Sequence, residues 1–188
     1  DSSAGFVPSG GSGVLILEAL DSALERGAEI YAEIKGGAQN CGGMRNGGSM
    51  TAPNSAAVVE CIENAVANTE IEAESIDLIS GHLTSTKADP IEIANWQTAL
   101  KLSGEQMPMI NTPKSMIGHG IAAAGAIESI ACVLQIKKGY VHPNINLTPD
   151  NIHPKIAERD NLDVELYIYR DVATRGRAGC PCSYVPVI

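Results

Sequence analysis

Two short stretches of the sequence combine histidines with other residues that could take part in chemistry. The first is NTPKSMIGHGIAAAGAIESI, in which Lys114 stands five residues before His119 and small apolar residues follow. The second is GHLTSTKADPIE, which contains His82. Because burying a lysine or a histidine is costly unless the group is paired or used, the two stretches are candidates for two parts of one active site.

His119 has the chemistry of a hydrogen-bond donor to an anion. The sequence predicts it at the N-terminus of a helix, where the helix dipole disfavours an added positive charge and so favours the neutral imidazole. A neutral imidazole can donate one hydrogen bond to a carbonyl oxygen that gains negative charge. Glu128, nine residues further along, is a candidate partner for Lys114, because such a pair compensates two buried charges.

Hydroxyl and acidic side chains that could support the same site follow His82. Taken alone, either histidine is more typical of a capping or core residue, and carboxylates are common in the first turn of a helix. The matched placement of the two histidines favours a site. His142 and His153 lie in a Pro-rich stretch and are predicted to be surface residues. The supporting candidates are Thr84, Thr86, Asp89 and Glu92.

Strands and helices alternate around these residues. Strands are predicted over 76–80 and 107–111, loops over 81–89 and 112–117, and helices over 90–104 and 118–140. The alternation predicts an α/β fold with a largely parallel sheet. Because both histidines come after strands, they are predicted to meet at the carboxyl edge of the sheet, where open α/β sheets bind ligands.

The flanking segments complete the expected layout. The sequence predicts a buried strand from Gly13 followed by a helix that ends at Gly27, and a second strand over 29–36. A Gly- and Asn-rich loop is expected over 36–55, and Ser55 is the predicted cap of the next helix. A last strand is predicted over 162–170.

Composition excludes several classes of protein. The 188 residues are 44% hydrophobic and 19% charged, as in a globular domain, and the net charge of −9 argues against a nucleic-acid-binding protein. No apolar run approaches the roughly 20 residues that a membrane helix needs. Five cysteines without zinc-type spacing favour a reducing, cytoplasmic compartment, with Cys61 and Cys132 as packing thiols. The spacings of a metal site, a dinucleotide site and a P-loop are all absent.

Taken together, the two histidine stretches carry the resemblance to a known family. KSMIGH, ending at His119 and continued by AAAGAIESI, resembles the KSxxGH motif of the β-ketoacyl-acyl carrier protein synthases. HLTST, beginning at His82, resembles their HGTxT motif, and Asp89 and Glu92 match its trailing acidic pair. GFVPSGGSGVLILE and RGAEIYAEI are similar to two further segments of that family, and the similarity extends to about Arg170.

The resemblance implies half of the thiolase-like layered α-β-α-β-α fold, with a mixed, mostly parallel sheet. On this basis, residues 1–27 are the end of the N-terminal ketosynthase half, residues 28–170 are the C-terminal domain, and residues 171–188 are an atypical terminus. That terminus lacks the family's closing glycine-rich turn, and its sequence does not resemble a strand–turn–strand unit.

The resemblance also implies a decarboxylating Claisen condensation in fatty acid or polyketide synthesis. His82 and His119 would hydrogen-bond the malonyl thioester carbonyl, and Lys114 would organise the site with Glu128. Thr84 and Thr86 would contact the phosphopantetheine arm, which the substrate carrier protein brings, so the enzyme needs no cofactor of its own. The implied partners are acyl carrier protein and a second copy of the full protein.

Other observations set this chain apart from the family pattern. The family's nucleophilic cysteine lies before the first residue here, and the chain begins without Met, so a fragment that is inactive alone is expected. Leu83 replaces a glycine, and the loop between His82 and Asp89 is one residue short. Two alternatives therefore stay open: a non-catalytic ketosynthase-like partner subunit, and an acyltransferase of the same fold that uses coenzyme A.

Overall fold

The computed structural model describes residues 5–42 and 54–145, together with the backbone of three later strands. The helices are α1 (Leu20–Glu25), α2 (Ser55–Ala67), α3 (Asp89–Leu100), α4 (Lys114–Ile117) and α5 (Ala124–Lys138). The strands are β1 (Gly36–Cys41), β2 (Leu78–Ser80), β3 (Met109–Asn111), β4 (Ile168–Arg170), β5 (Val172–Arg175) and β6 (Pro181–Val187). Single 3₁₀ turns occupy Ala73–Ser75, Gly104–Gln106 and Ile121–Ala123.

The described strands form one mixed sheet. Its order is β1-β6-β4-β2-β3, with β5 also paired to β6. Strand β2 runs parallel to β3 and to β4, whereas β6 runs antiparallel to β1, β4 and β5. The predicted α/β class is confirmed, and the carboxyl ends of β2 and β3 do meet at one edge.

Helices cover both faces of the sheet because the side chains of each strand alternate between faces. Ile79 and Ile110 belong to the larger core, in which Trp96 and residues of α2 and α3 are buried. Leu78, in the preceding position, packs instead with Cys132 of α5. The layered arrangement therefore places α2 and α3 on one face and α5 on the other.

Several element boundaries differ from the sequence-based prediction. Residues 14–17, predicted as a buried strand, have no regular secondary structure, and Ile16 is 88% exposed. The strand predicted over 29–36 is also wrong, because β1 begins at Gly36, inside the predicted loop. Its residues GGAQNC carry no strand pattern, and pairing with β6 decides their conformation.

The helix ends were predicted with mixed success. Gly27 and Gly139 adopt positive φ values of 66° and 64° just past α1 and α5, as helix-terminating glycines do. Helix α2 is capped by Asn54 rather than Ser55, since the Asn54 side chain accepts from Ala56 N. Helix α3 ends at Leu100, before the predicted Gly104, because Lys101 takes the left-handed conformation.

The chain terminus corrects one further prediction. Residues 172–175 and 181–187 form two strands, β5 and β6, that pair antiparallel with each other, although the sequence of the terminus does not resemble such a unit. The predicted strand 162–170 is described only at Ile168–Arg170. Cys61 and Cys132 are buried thiols, in agreement with the predicted packing role. Cys41 is disulfide-bonded, which differs from the expectation of a reducing compartment. Among the described helices, none is long and apolar enough to cross a membrane.

Candidate active site

The two histidines of the sequence motifs lie side by side. Their rings meet edge to face, with centroids 5.1 Å apart and planes at 85°. Gly81, which follows β2, donates its backbone N–H to Asn111 O at 2.8 Å and so ties the ends of the two strands together. The prediction that the two stretches converge at the carboxyl edge is therefore confirmed.

The surroundings of His119 differ from the prediction in one respect. Helix α5 begins at Ala124, so the prediction that His119 lies at its N-terminus is wrong. Instead, the backbone N–H of Ile121 donates to His119 Nδ1 at 3.3 Å. Since Nδ1 accepts this bond, the neutral ring carries its proton on Nε2, which is then the donor.

An unusual backbone conformation accompanies that hydrogen bond. Ile121 has a φ of 53°, in the left-handed region that β-branched residues rarely adopt. Such conformations are found where the surrounding structure imposes them, and they cluster at functional sites. The run IAAA after Gly120 has high helix propensity, yet residues 121–123 form a 3₁₀ turn and α5 begins only at Ala124, so a tertiary contact is the cause.

That cause is the segment 5–9, which crosses both histidine loops. Its backbone forms a parallel bridge at Pro8 and His119: His119 N donates to Val7 O at 2.8 Å, and Ser9 N donates to His119 O at 3.0 Å. At its other end, Gly5 N donates to Ser85 O at 3.0 Å. The two loops are thus joined by a third piece of chain.

Phe6 is a site residue that the sequence-based prediction missed. Its ring lies edge-on to the ring of His119, with centroids 5.3 Å apart. The GFV segment in which it lies was recognised only as part of the family resemblance, and nothing in its composition indicates chemistry. Phe6 places an apolar ring beside the imidazole and so helps to fix its position.

Gly118 allows the crossing segment to approach. It has a φ of 74°, and a Cβ added there would lie 2.9 Å from Val7 O and 3.0 Å from Ser9 Cβ. Both the conformation and the contact therefore require glycine at this position.

The two acidic residues after His82 hold its loop through the backbone. The Glu92 carboxylate accepts from His82 N at 2.6 Å and from Leu83 N at 3.0 Å. The Asp89 carboxylate accepts from the backbone N–H groups of Thr84, Ser85 and Thr86, at 2.8–3.2 Å. Leu83, at the family's glycine position, is buried in the main core and anchors the shortened loop. These contacts fix the position of His82.

The two threonines of the loop are linked to each other. Thr86 Oγ1 donates to Asp89 Oδ1 at 3.1 Å, because a carboxylate can only accept. Thr84 Oγ1 lies 3.2 Å from Thr86 Oγ1, and since the Thr86 proton is engaged, Thr84 is the donor of that contact. Thr84 and Thr86 are both half-buried beside the loop backbone.

Lys114 and Glu128 form the ion pair that the sequence predicts. Lys114 Nζ bonds to Glu128 Oε1, and the two side chains are only 5% and 3% exposed. The pair joins α4, which precedes His119, to α5, which follows it. This buried contact fixes the loop between the two helices.

The start of the connection after α5 is fastened to the same sheet edge. Asn144 Oδ1 accepts from Thr112 N, and Asn144 Nδ2 donates to Ile110 O, both at 2.9 Å. His142, predicted at the surface, is half-buried instead, and His153 lies outside the described residues. Within the described ranges, no three His, Cys, Asp or Glu side chains are grouped closely enough to hold a metal ion.

Comparison with known proteins agrees with this architecture. Residues 31–148 match the family "Beta-ketoacyl synthase, C-terminal domain". The chain is 45% identical over 169 residues to 3-oxoacyl-[acyl-carrier-protein] synthase II, chloroplastic, of Arabidopsis thaliana, covering 86% of this chain and 30% of that protein. It is 35% identical over 143 residues to 3-oxoacyl-[acyl-carrier-protein] synthase 1 of Escherichia coli K12, covering 76% and 33%.

Solved structures show the same fold. The ishigamide ketosynthase/chain length factor superposes with a TM-score of 0.81 at 31% identity, over 99% of this chain and 44% of that one. A type II ketosynthase solved with its acyl-carrier protein gives a TM-score of 0.69 at 30% identity, over 90% and 41%. The fold is thus that of the thiolase-like ketosynthases. The chain belongs to the β-ketoacyl synthase family as a C-terminal part, and it spans about a third of the length of the curated relatives described here.

Proposed function

We propose that this chain is the C-terminal part of a condensing enzyme that decarboxylates malonyl-carrier protein and extends an acyl chain by Claisen condensation. The observation that supports this most directly is the adjacency of two imidazoles, one of which accepts a hydrogen bond at Nδ1 and so, when neutral, carries its proton on Nε2. Two neutral donors aimed at one oxygen suit a reaction in which a thioester carbonyl becomes an enolate.

In the proposed reaction, His82 and His119 bind the malonyl thioester oxygen. The bond from C2 to the carboxylate carbon breaks, carbon dioxide leaves, and the electron pair forms the enolate that the imidazoles stabilise. The enolate carbon then attacks the acyl thioester on a cysteine, and the cysteine thiolate leaves. Lys114 and Glu128 hold the loop before His119, while Glu92 and Asp89 hold the loop of His82.

Thr84 and Thr86 are the proposed contacts for the phosphopantetheine arm. Their hydroxyls lie on the same loop as His82, and the Thr84–Thr86 hydrogen bond can be exchanged for bonds to the amides of the arm. The arm belongs to the carrier protein, so we propose no cofactor for the enzyme itself. Acyl carrier protein is the proposed partner, as it is for the type II ketosynthase solved in complex with one.

We propose that the acyl-bearing cysteine comes from outside this chain. Cys61 and Cys132 are buried in the two cores, and neither lies on a histidine loop. Exposed apolar side chains near the start of the described chain fit a face that the N-terminal half of a ketosynthase covers, with residues 1–27 as the end of that half and 28–170 as the C-terminal domain. They include Val14, Ile16, Leu17, Leu20 and Leu24.

A second function deserves a test because one structural neighbour is a ketosynthase/chain length factor pair. The chain could come from a partner subunit that binds the acyl chain without catalysing condensation. We favour the enzyme, in fatty acid synthesis, because the relatives with 45% and 35% identity are 3-oxoacyl-carrier-protein synthases. A homodimer and a cytoplasmic location remain predictions, and the Arabidopsis relative is a chloroplastic protein.

The test uses the full-length protein that carries this chain. Malonyl decarboxylation is measured for His82→Ala, His119→Ala and the double variant, with His153→Ala as the matched control. Removing one donor to an oxyanion lowers kcat by about 10²–10³, so each single variant should lose at least that much. A protein without cysteine at the nucleophile position, or single variants as active as the control, would overturn the enzyme in favour of the partner subunit.

A further inference from the structure

Three buried polar side chains lie together where β2, β3 and α5 meet. Ser80 is fully buried, and Asn111 and Gln135 are 2% and 1% exposed. Ser80 and Asn111 are partners in the parallel register of β2 and β3. Both follow isoleucines that face α2 and α3, so both point to the opposite face, toward α5, which carries Gln135.

The orientation of the two amides is fixed by backbone groups. The backbone N–H of His142, which can only donate, bonds to Gln135 Oε1 at 2.9 Å. The backbone carbonyl of His142, which can only accept, is bonded by Asn111 Nδ2 at 2.9 Å. Asn111 Nδ2 also donates to Gln135 Oε1 at 2.9 Å, so reversing either amide would set like groups against each other.

In this orientation, three polar atoms of these side chains take part in none of these hydrogen bonds. Asn111 Oδ1, Gln135 Nε2 and Ser80 Oγ are buried and have no hydrogen-bond partner among the described residues. A buried polar atom without a partner destabilises the fold, so three together in one small region call for a further hydrogen-bonding group. The set contains one acceptor, one donor and one hydroxyl that can do either.

We propose that a single buried water molecule occupies this point. It accepts a hydrogen bond from Gln135 Nε2 and donates to Asn111 Oδ1 and Ser80 Oγ, which makes the roughly three hydrogen bonds typical of an internal water. A metal cation does not fit, because the Gln135 NH₂ group would present its hydrogens to it. The site is independent of the proposed function.

The position of the water gives it a structural role. Ser80 stands two residues before His82, and Asn111 stands three before Lys114. A water bonded to both, and to Gln135 of α5, ties the ends of the two site-bearing strands to the helix behind them. The resulting network of side chains, backbone and water holds the sheet edge on the face away from the main core.

The test is a crystal structure of the full-length protein at a resolution that shows ordered water. Density for one water within about 2.7–3.2 Å of all three atoms is expected. A direct bond from Gln135 Nε2 to Asn111 Oδ1 with no density between them would overturn the proposal, and so would an empty site. This measurement on the unaltered protein decides the question whether or not a variant folds.

Variants add a second readout. Ser80→Val replaces the hydroxyl by methyl groups that fill the water's space, so long-lived internal waters counted by oxygen-17 relaxation dispersion should fall by one. Ser129→Val is the matched control, because the Ser129 hydroxyl already bonds to Gly125 O at 3.0 Å within α5. A folded Ser80→Val protein with the same count as the control contradicts the site.

Discussion

His119 Nδ1 accepts a hydrogen bond from the backbone N–H of Ile121, and this contact decides which nitrogen of the neutral ring carries the proton. It predicts that neutral His119 is the Nε2-protonated tautomer. Nitrogen-15 NMR of the full-length protein should show Nδ1 as the unprotonated, hydrogen-bonded nitrogen. Finding the proton on Nδ1 would contradict both this geometry and the proposed donor role of His119.

The buried ion pair allows a test that separates stability from catalysis. Lys114→Met or Glu128→Leu alone leaves one buried charge uncompensated and should lower the free energy of unfolding by about 3–5 kcal/mol. The double variant replaces both charges by apolar groups and should recover most of that loss. Urea unfolding and malonyl decarboxylation are measured on the same proteins.

Lys35→Met is the control for that experiment, since the Lys35–Glu33 pair is exposed and such pairs contribute about 0–1 kcal/mol. The double variant should remain inactive while regaining stability, because Lys114 no longer organises the loop before His119. A double variant that is both stable and fully active would remove Lys114 from the proposed site.

Gly118→Ala should lower the thermal stability of the protein more than Gly139→Ala does, although both glycines have a positive φ. Placing alanine in the left-handed region costs about 1–2 kcal/mol, and at Gly118 the new Cβ would also push against Val7 O. At Gly139, with a φ of 64°, nothing lies within 4 Å of the added atom. Gly139→Ala should therefore show only the conformational loss, and equal losses in thermal unfolding would argue against the crossing segment.

The surface pair of Glu18 and Arg26 gives a pH-dependent prediction. The Arg26 side-chain hydrogen bonds, with a further one from Ser22, lower the pKa of Glu18 from 4.5 to about 2. Because the folded-state pKa is the lower one, the contribution to stability is present above about pH 4.5. It is lost as the pH falls toward 2.

Arg26→Gln should raise the Glu18 pKa toward 4.5, as followed by carboxyl NMR titration. The difference in the free energy of unfolding between the variant and the unaltered protein should then decrease as the pH falls from 4.5 to about 2. Added salt should reduce this difference at every pH. An unchanged Glu18 titration in the variant would show that the pair does not persist in solution.

The sequence predicts the centre of the candidate site better than its surroundings. His82, His119 and the Lys114–Glu128 pair follow from residue types and short spacings, and the structure brings each set together. The predicted start of α5 was wrong because an Ala-rich run favours helix unless a tertiary contact opposes it. The crossing segment acts here, and its contacts with His119 override that local propensity.

Other parts of the fold depend on partners that no local pattern contains. GGAQNC becomes β1 only because β6 pairs with it along its whole length. The place of Phe6 against His119 likewise depends on where the first part of the chain returns. Hydrophobic periodicity cannot predict such long-range pairings, because it depends only on residues that are close together in the sequence.

The bridge between Pro8 and His119 also bears on the order of folding. It joins two residues that are far apart in the sequence, so closing it requires a long loop whose entropy must be offset by contacts made earlier. The two strands and helices that carry the histidines can associate first, as neighbours in the chain. We therefore expect the geometry at His119 to be completed late, so the proposed activity should report complete folding more sensitively than helix content does.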